Sequence, residues 1–356
     1  MLQKIHYTNE VATTLDALTR ELSPTSTFVL VDSNTAAFVL PQLRADSEVV
    51  RSAEVITIHA GDAAKNIETL QRVWHALSQA RASRHALLIN VGGGVVTDLG
   101  GFAAATYKRG IRCINVPTTL LCAVDAAVGG KTGINFDGYK NQVGAFYPAD
   151  HVIVSAAYFG TLPAGELLSG YGEMIKHGLL DSDDAVSRLL QFDVNSIKSD
   201  PERLLQLLRH SVAVKENIVQ QDPTEQGIRK ALNLGHTIGH AFEELALRRH
   251  APIPHGYAVA WGLVVECVLS SMLRDFDSTM LHTLAGYIKD LYGVFEITCD
   301  DYPELIELMR QDKKNVTADA LNFTLLRAPG VIVTDVTVAP ATVESALDIY
   351  RDLMGI

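Results

Sequence analysis

At 356 residues, with 47% hydrophobic and 20% charged side chains, the sequence describes an ordered globular protein too long for one small core, and two domains are expected. A formal net charge of -11 excludes generic nucleic-acid binding, which needs a basic surface; an acidic protein can still hold an anion at a local cluster of Lys and Arg. The opening MLQKIHYTNEVATTLD has no apolar targeting segment, and no uninterrupted apolar run approaches the ~20 residues of a membrane span, so a soluble cytoplasmic protein without a nucleic-acid or membrane partner is expected.

In chain order, TFVLVDSN is a short apolar run ending in turn residues and predicts a buried strand. NIETLQRVWHALSQA follows with Ile67, Leu70, Val73, Trp74 and Leu77 at helical spacing, then HALLINVGGG and RCINVPTT as further strands. This is the βαβ rhythm of a parallel sheet. In INVGGGVVTDLGG a strand runs into Gly92, Gly93 and Gly94, and a helix-prone segment carrying Asp98 follows. Glycines there let a ligand approach the backbone, and free amides at a helix start suit a pyrophosphate. The spacing is not G-x-G-x-x-G, so a tight turn with no ligand explains it equally well. VPTTLL adds the hydroxyls of Thr118 and Thr119 at the same sheet edge. DAAVGGKTGINFDGYKN intersperses Asp125, Lys131, Lys140 and Asn141 with glycines; its lysines suit phosphate or carboxylate, and its plain alternative is a solvated loop. Cys113, Cys122, Cys267 and Cys299 are scattered without zinc-like spacing and read as reduced core thiols.

After about residue 165 the period becomes helical. GYGEMIKHG places Glu173 and Lys176 on one helix face, and SDPERLLQLLRHSVAVKENIVQQDP is a helix with Ser or Asp capping, Pro201 in its first turn and an apolar stripe. Further helices are expected around 165–180, 229–247, 256–274 and 302–311, with a return to extended structure at NFTLLRAPG. LNLGHTIGHAFE puts His236 and His240 four apart, so both imidazoles leave one helix face. A zinc protease would have Glu directly after the first His, and Thr237 stands there. Taken alone, the pair reads as ordinary polar residues of a packed helix. With Glu173 upstream and His255 in PIPHGYAVAWG, one carboxylate and two imidazoles could form a catalytic metal set, but three histidines compete for two places and spacing does not choose among them.

Together and in this order, GGGVVTDLGGFAAATYKRG, VPTTLL, VGGKTGIN, KNQVGAFY, GYGEMIKHG and LNLGHTIGHAFE resemble the 3-dehydroquinate synthase family, over about residues 28 to 328. The resemblance implies an α/β, Rossmann-like NAD-binding domain over 1–165, a mainly helical metal- and substrate-binding domain over 166–356, and an active site in the cleft between them. It implies NAD contacts from Asp32, Asn34, Asp62 and Lys65 on the adenosine side, Gly93, Gly94 and Asp98 at the pyrophosphate and ribose, Thr118, Thr119 and Thr161 through hydroxyls, and Lys140, shared with the substrate. Glu173, His236 and His255 would ligate one zinc or cobalt ion, which releases His240 for proton work with Asn233 and a water. Asp125, Lys131, Lys140, Asn141, Lys176, Lys215, Arg229, Asn233, His240 and one of Lys313 and Lys314 would meet the substrate. Of these, Asp125, Lys131, Lys176 and Arg229 join His240 and Asn233 in catalysis. Arg109 would reach the substrate phosphate of the neighbouring subunit in a homodimer.

The implied reaction is loss of phosphate from 3-deoxy-D-arabino-heptulosonate 7-phosphate and closure to 3-dehydroquinate, with NAD reduced and then reoxidised. Departures from the family pattern are Asp62 where Glu is more familiar, Tyr139 where Gly is common, and Ala126 and Ala127 in place of serines. Another sugar-phosphate cyclase, such as an aminodehydroquinate synthase or a valiolone-type cyclase, is the nearest alternative. A glycerol-dehydrogenase-type oxidoreductase and a non-catalytic NAD or metal sensor are further ones.

Overall fold

Runs of Val, Ile and Leu too short for a helix and bounded by turn residues become the strands of the first of two units. The computed structural model describes residues 3–310 and 321–356. Its units comprise Met1–Pro163 with Asn195–Glu216, and Ala164–Val194 with Asn217–Ile356.

The strands of the first unit are β1 (Lys4–Tyr7), β2 (Thr27–Asp32), β3 (Glu54–Ile58), β4 (Leu87–Gly92), β5 (Arg112–Pro117), β6 (Lys131–Phe136), β7 (Tyr139–Phe146) and β8 (His151–Val154). Six of them form a parallel sheet in the order β1-β8-β5-β4-β2-β3. Every residue of β4 is buried, as expected of a central parallel strand covered on both faces. The helices are α1 (Val11–Leu22), α2 (Ser33–Phe38), α3 (Leu40–Asp46), α4 (Glu48–Ser52), α5 (Ile67–Gln79) and α6 (Gly94–Thr106). Leu15 of α1 and Leu43 of α3 pack on Val29, Val31, Ile89, Val91 and Ile114 of the sheet. From β2 the sheet grows one way through β3 and the other way through β4, so strand order reverses between β2 and β4. A crevice opens at the carboxyl ends of strands at such a reversal, and here it is flanked by Asp32 and Gly92.

The segment DAAVGGKTGINFDGYKN, whose plain alternative is a solvated loop, instead enters a β6–β7 antiparallel hairpin. Asp137 and Gly138 at its tip both take positive φ (52° and 78°), the backbone that favours Asp-Gly in two-residue hairpin turns.

The second unit contains α7 (Ala164–Asp181), α8 (Asp183–Leu190), the end of α9 (Pro201–Gln221), α10 (His236–Arg248), α11 (His255–Arg274), α12 (Ser278–Tyr292), α13 (Tyr302–Arg310), a hairpin of β9 (Leu321–Ala328) and β10 (Val331–Val338), and α14 (Pro340–Met354). The units change over at 163/164 rather than 165/166, and residues 195–216 group with the first unit. There the Asn9 amide donates to Glu202 at 2.8 Å and Arg209 lies over the Tyr7 ring at 5.1 Å. The helix expected over 229–247 is broken: a 3-10 turn (Ile228–Asn233) ends before Gly235, whose left-handed backbone (φ 78°) starts α10 afresh. α11 is apolar and long enough to cross a membrane by composition, but it is buried among α7, α10, α12, α14 and β9.

Candidate active site

The first unit places Asp32, Asp62, Gly93, Thr118 and Thr119 just at or beyond the carboxyl ends of its parallel strands. Gly93 caps α6 with no side chain, which leaves the first amides of that helix available to an anion. A Cβ on Gly93 would stand 3.2 Å from Thr119, so the backbone is bare where the two strand ends meet. Thr118 is buried, its amide bonded to Gly92 O at 3.0 Å, and the Thr119 hydroxyl accepts from Cys122 N at 3.2 Å. Asp98, in the second turn of α6, meets the buried Lys65 ammonium at 2.5 Å, and Asn141 of β7 bonds the same ammonium. Burial raises the Asp98 carboxyl above its ordinary range, against the pull of Lys65. Three residues that the resemblance spreads over adenosine, pyrophosphate and substrate thus share one cluster.

Asp32 accepts from Thr35 N at 2.7 Å and so caps α2, where Asn34 is exposed; Asp62 accepts from Asn135 at 2.9 Å. Thr161 is exposed and donates to Tyr158 O at 3.0 Å. The buried Lys215 ammonium bonds both the Asp125 carboxylate (2.5 Å) and the Asp125 carbonyl (2.6 Å). Lys131 and Lys140 are exposed on the hairpin, and Arg109 is exposed in a left-handed turn (φ 66°).

In the second unit three helices bring one carboxylate and two imidazoles together. Glu173 and Lys176 lie one turn apart on α7, with side-chain exposures of 0% and 1%, and are ion-paired. His236 is the first residue of α10, and His255 the first of α11. α7 and α11 touch backbone to backbone: a Cβ on Gly256 would fall 1.7 Å from Ser169 O, and one on Gly172 would fall 2.3 Å from Gly256 O. Glycine next to each of these residues is therefore what lets Glu173 and His255 meet. Glu173 Oε1 stands 3.3 Å from His236 Nε2 and 3.4 Å from His255 Nε2.

Ligand atoms at about 2.0–2.2 Å from a tetrahedral metal are about 3.3–3.6 Å apart, so these separations suit one shared ion. The Glu173 carboxylate is fully buried and paired with the Lys176 ammonium, and its Oε1 faces the two imidazoles. The outer nitrogens are held as metal-ligating imidazoles usually are: His236 Nδ1 lies 3.1 Å from Leu234 O, and His255 Nδ1 3.1 Å from the Glu243 carboxylate. Burial and the nearby Lys176 charge lower His236 to about 4. Burial opposes charge on His255 too, but hydrogen bonds to Glu173 and Glu243 win and raise it to about 10. Glu173 is held well below the ordinary carboxylate range: Lys176 and His236 outweigh burial.

The exposed His240 ring lies 5.4 Å from that of His236 and 5.9 Å from that of His255, and nitrogens of the three imidazoles fall within 4.8 Å of one another. Arg229 is buried on the 3-10 turn, where Nη1 donates to Pro223 O at 2.6 Å. Asp222 holds that loop by accepting from the amides of Gln226, Gly227 and Arg229. Asn233 faces Glu225 at 3.4 Å. Glu243, Asp222 and Glu225 are contacts that sequence reasoning missed; the position of Glu243 one turn after His240 was the available signal. Lys313 and Lys314 lie outside the described residues.

Residues 55–169 match the family described as 3-dehydroquinate synthase N-terminal, and residues 170–315 match 3-dehydroquinate synthase C-terminal. A 3-dehydroquinate synthase of Parabacteroides distasonis is 46% identical over 99% of both chains, and one of Pyrococcus abyssi is 44% identical over 73% of this chain and 74% of its own. Among solved structures, 2-epi-5-epi-valiolone synthase from Streptomyces hygroscopicus, with NAD+ and Zn2+ bound, shares the fold at a TM-score of 0.86 and 24% identity over 99% of this chain and 97% of that one. A probable glycerol dehydrogenase from Sinorhizobium meliloti has a TM-score of 0.64 and 16% identity over 99% and 98% of the two chains.

Proposed function

The chain belongs to the 3-dehydroquinate synthase family, and on that premise we propose how its own residues carry out the family's conversion of 3-deoxy-D-arabino-heptulosonate 7-phosphate to 3-dehydroquinate and phosphate. When bound, NAD supplies a reversible hydride acceptor, and a divalent zinc or cobalt ion supplies a Lewis acid for the hydroxyl and ketone oxygens of the substrate. Glu173, His236 and His255 would hold the ion. The observation that carries this reading is the pair of 3.3 Å and 3.4 Å separations from one Glu173 oxygen to the two imidazoles.

The α6 amides behind Gly93 and Gly94 would receive the pyrophosphate, and Asp98, Lys65, Asp32, Asn34, Asp62, Thr118, Thr119, Thr161 and Lys140 would hold the rest of the dinucleotide. His240, with Asn233 and a water, would take the proton of the C5 hydroxyl and later return it to the same oxygen. A ketone at C5 makes the C6 proton acidic enough for β-elimination, in which the departing phosphate itself would accept that proton. Arg229, Lys215, Lys176, Lys131, Lys140 and Asn141 bind the carboxylate and phosphate and keep the chain folded, so that ring closure is an intramolecular aldol step. Asp125 orients Lys215 for that task. We place the enzyme in the cytoplasm as a homodimer whose exposed Arg109 serves the neighbouring copy.

The deciding experiment follows inorganic phosphate and NADH absorbance together, with purified protein, NAD and zinc or cobalt. Phosphate release with dehydroquinate formed and no net NADH is expected. Absence of phosphate release from folded, metal-loaded protein would overturn the assignment, and NADH accumulating with a simple alcohol would move it to the dehydrogenases.

A further inference from the structure

The first turn of α10 carries His236 and, one turn on, His240, so the direction of that helix start fixes both imidazoles. Gly235 precedes it with no side chain to cap the open amides. Its bareness is enforced by packing: a Cβ there would lie 2.8 Å from Leu263 Cδ2, and one on Gly262 would lie 2.1 Å from Gly235 O. The cap comes instead from the neighbouring helix. Glu266 of α11 is fully buried, and its carboxylate accepts from Gly235 N at 2.6 Å, Thr237 N at 3.1 Å and Ile238 N at 3.2 Å. A buried carboxylate is costly unless charge-assisted bonds and a helix N-terminus compensate it, and here both do. An apolar side chain would fill this position in a helix pair that needed only to pack.

We propose that Glu266 is a positioning residue for the metal site: it fixes the α10 start to α11, which itself begins with His255, so the two imidazoles keep their separation from Glu173. The inference rests on the metal set assigned above. It makes ion binding and the Glu266 clamp thermodynamically linked, so that each strengthens the other.

The test uses full-length protein loaded with cobalt, whose visible absorption reports coordination geometry. In Glu266→Gln the charge is lost and an NH2 group faces the amides. Cobalt affinity is expected to fall about 10-fold, the lower end of what groups behind a ligand set contribute, with an altered visible band at an unchanged folded fraction. A lower Tm with wild-type cobalt affinity and spectrum would reduce Glu266 to a packing role and overturn the proposal. If the variant does not fold, the wild-type protein decides: hydrogen exchange at Gly235, Thr237 and Ile238 should slow on cobalt loading, and unchanged exchange refutes the linkage. Failure of the wild-type protein to bind cobalt at all would instead remove the metal assignment on which the inference stands.

Discussion

In the first unit the hairpin lysines assigned to substrate, Lys131 and Lys140, stand exposed, whereas in the second unit Glu173 and Lys176 are sealed among helices at 0% and 1% exposure. Exposed cations are inexpensive to hold; their effect is felt when a ligand displaces water around them. Buried charges must be paired as the chain folds, so their geometry is set before any ligand arrives. Substitutions in the two regions should therefore differ in kind: loss of a preformed site in one, graded loss of substrate affinity in the other.

The sharpest way to break this contrast is His236→Ala. It should abolish stoichiometric metal and lower turnover by ~10³-fold or more, since Lewis-acid stabilisation is worth several kcal/mol. Plasma emission spectroscopy showing one ion per chain in that variant would remove His236 from the ligand set. His240→Ala comes next: kcat should fall about 10²-fold, the scale of a lost proton-transfer group, with metal retained. Full turnover with metal in place would end the proton-transfer assignment.

A smaller, graded effect is expected from pH. His255 is protonated at neutral pH in the metal-free protein because its pKa is raised to about 10, and a metal needs the neutral ring. Metal loading at pH 7 should release about one proton, and affinity should rise roughly tenfold per pH unit until about pH 10. Calorimetry in buffers of different ionisation enthalpy reads this directly; zero proton release would mean that His255 is already neutral. His236 has the opposite sign: its pKa is lowered to about 4, so the stability it contributes is complete above about 6.5 and fades as pH falls toward 4. The smallest effect belongs to Lys140→Ala, which should raise KM by about tenfold or less, with kcat and Tm nearly unchanged and a weaker dependence on salt. A fall in Tm comparable to that of a core substitution would show that the hairpin cation is structural after all.

Several elements were legible because the cause lies within a few residues of the chain. The Gly92 to Gly94 turn, the α5 stripe and the α9 cap and proline all follow from local period and turn chemistry. The β6–β7 segment reads from sequence as a ligand-binding or solvated loop although Asp137-Gly138 is a strong hairpin turn, because glycines and lysines hide the alternation of its strands. The continuous helix expected over 229–247 stops at Gly235, whose left-handed backbone breaks it and whose missing Cβ leaves room for Leu263 and Val259 of α11, a packing that no helical period reveals.

The sequence by itself determined the family, the parallel α/β start, the helical second half and the residue types that the chemistry needs, since each is written in short motifs or local periodicity. The tertiary structure alone decided which imidazoles share the Glu173 carboxylate, how Lys65 comes to join Asp98 and Asn141, and that Glu243 and Glu266 stand behind the site. Those groups are separated by up to about a hundred residues of chain, and around Glu173 what joins them is glycine-mediated contact between helix backbones, whose consequences appear only when the helices pack.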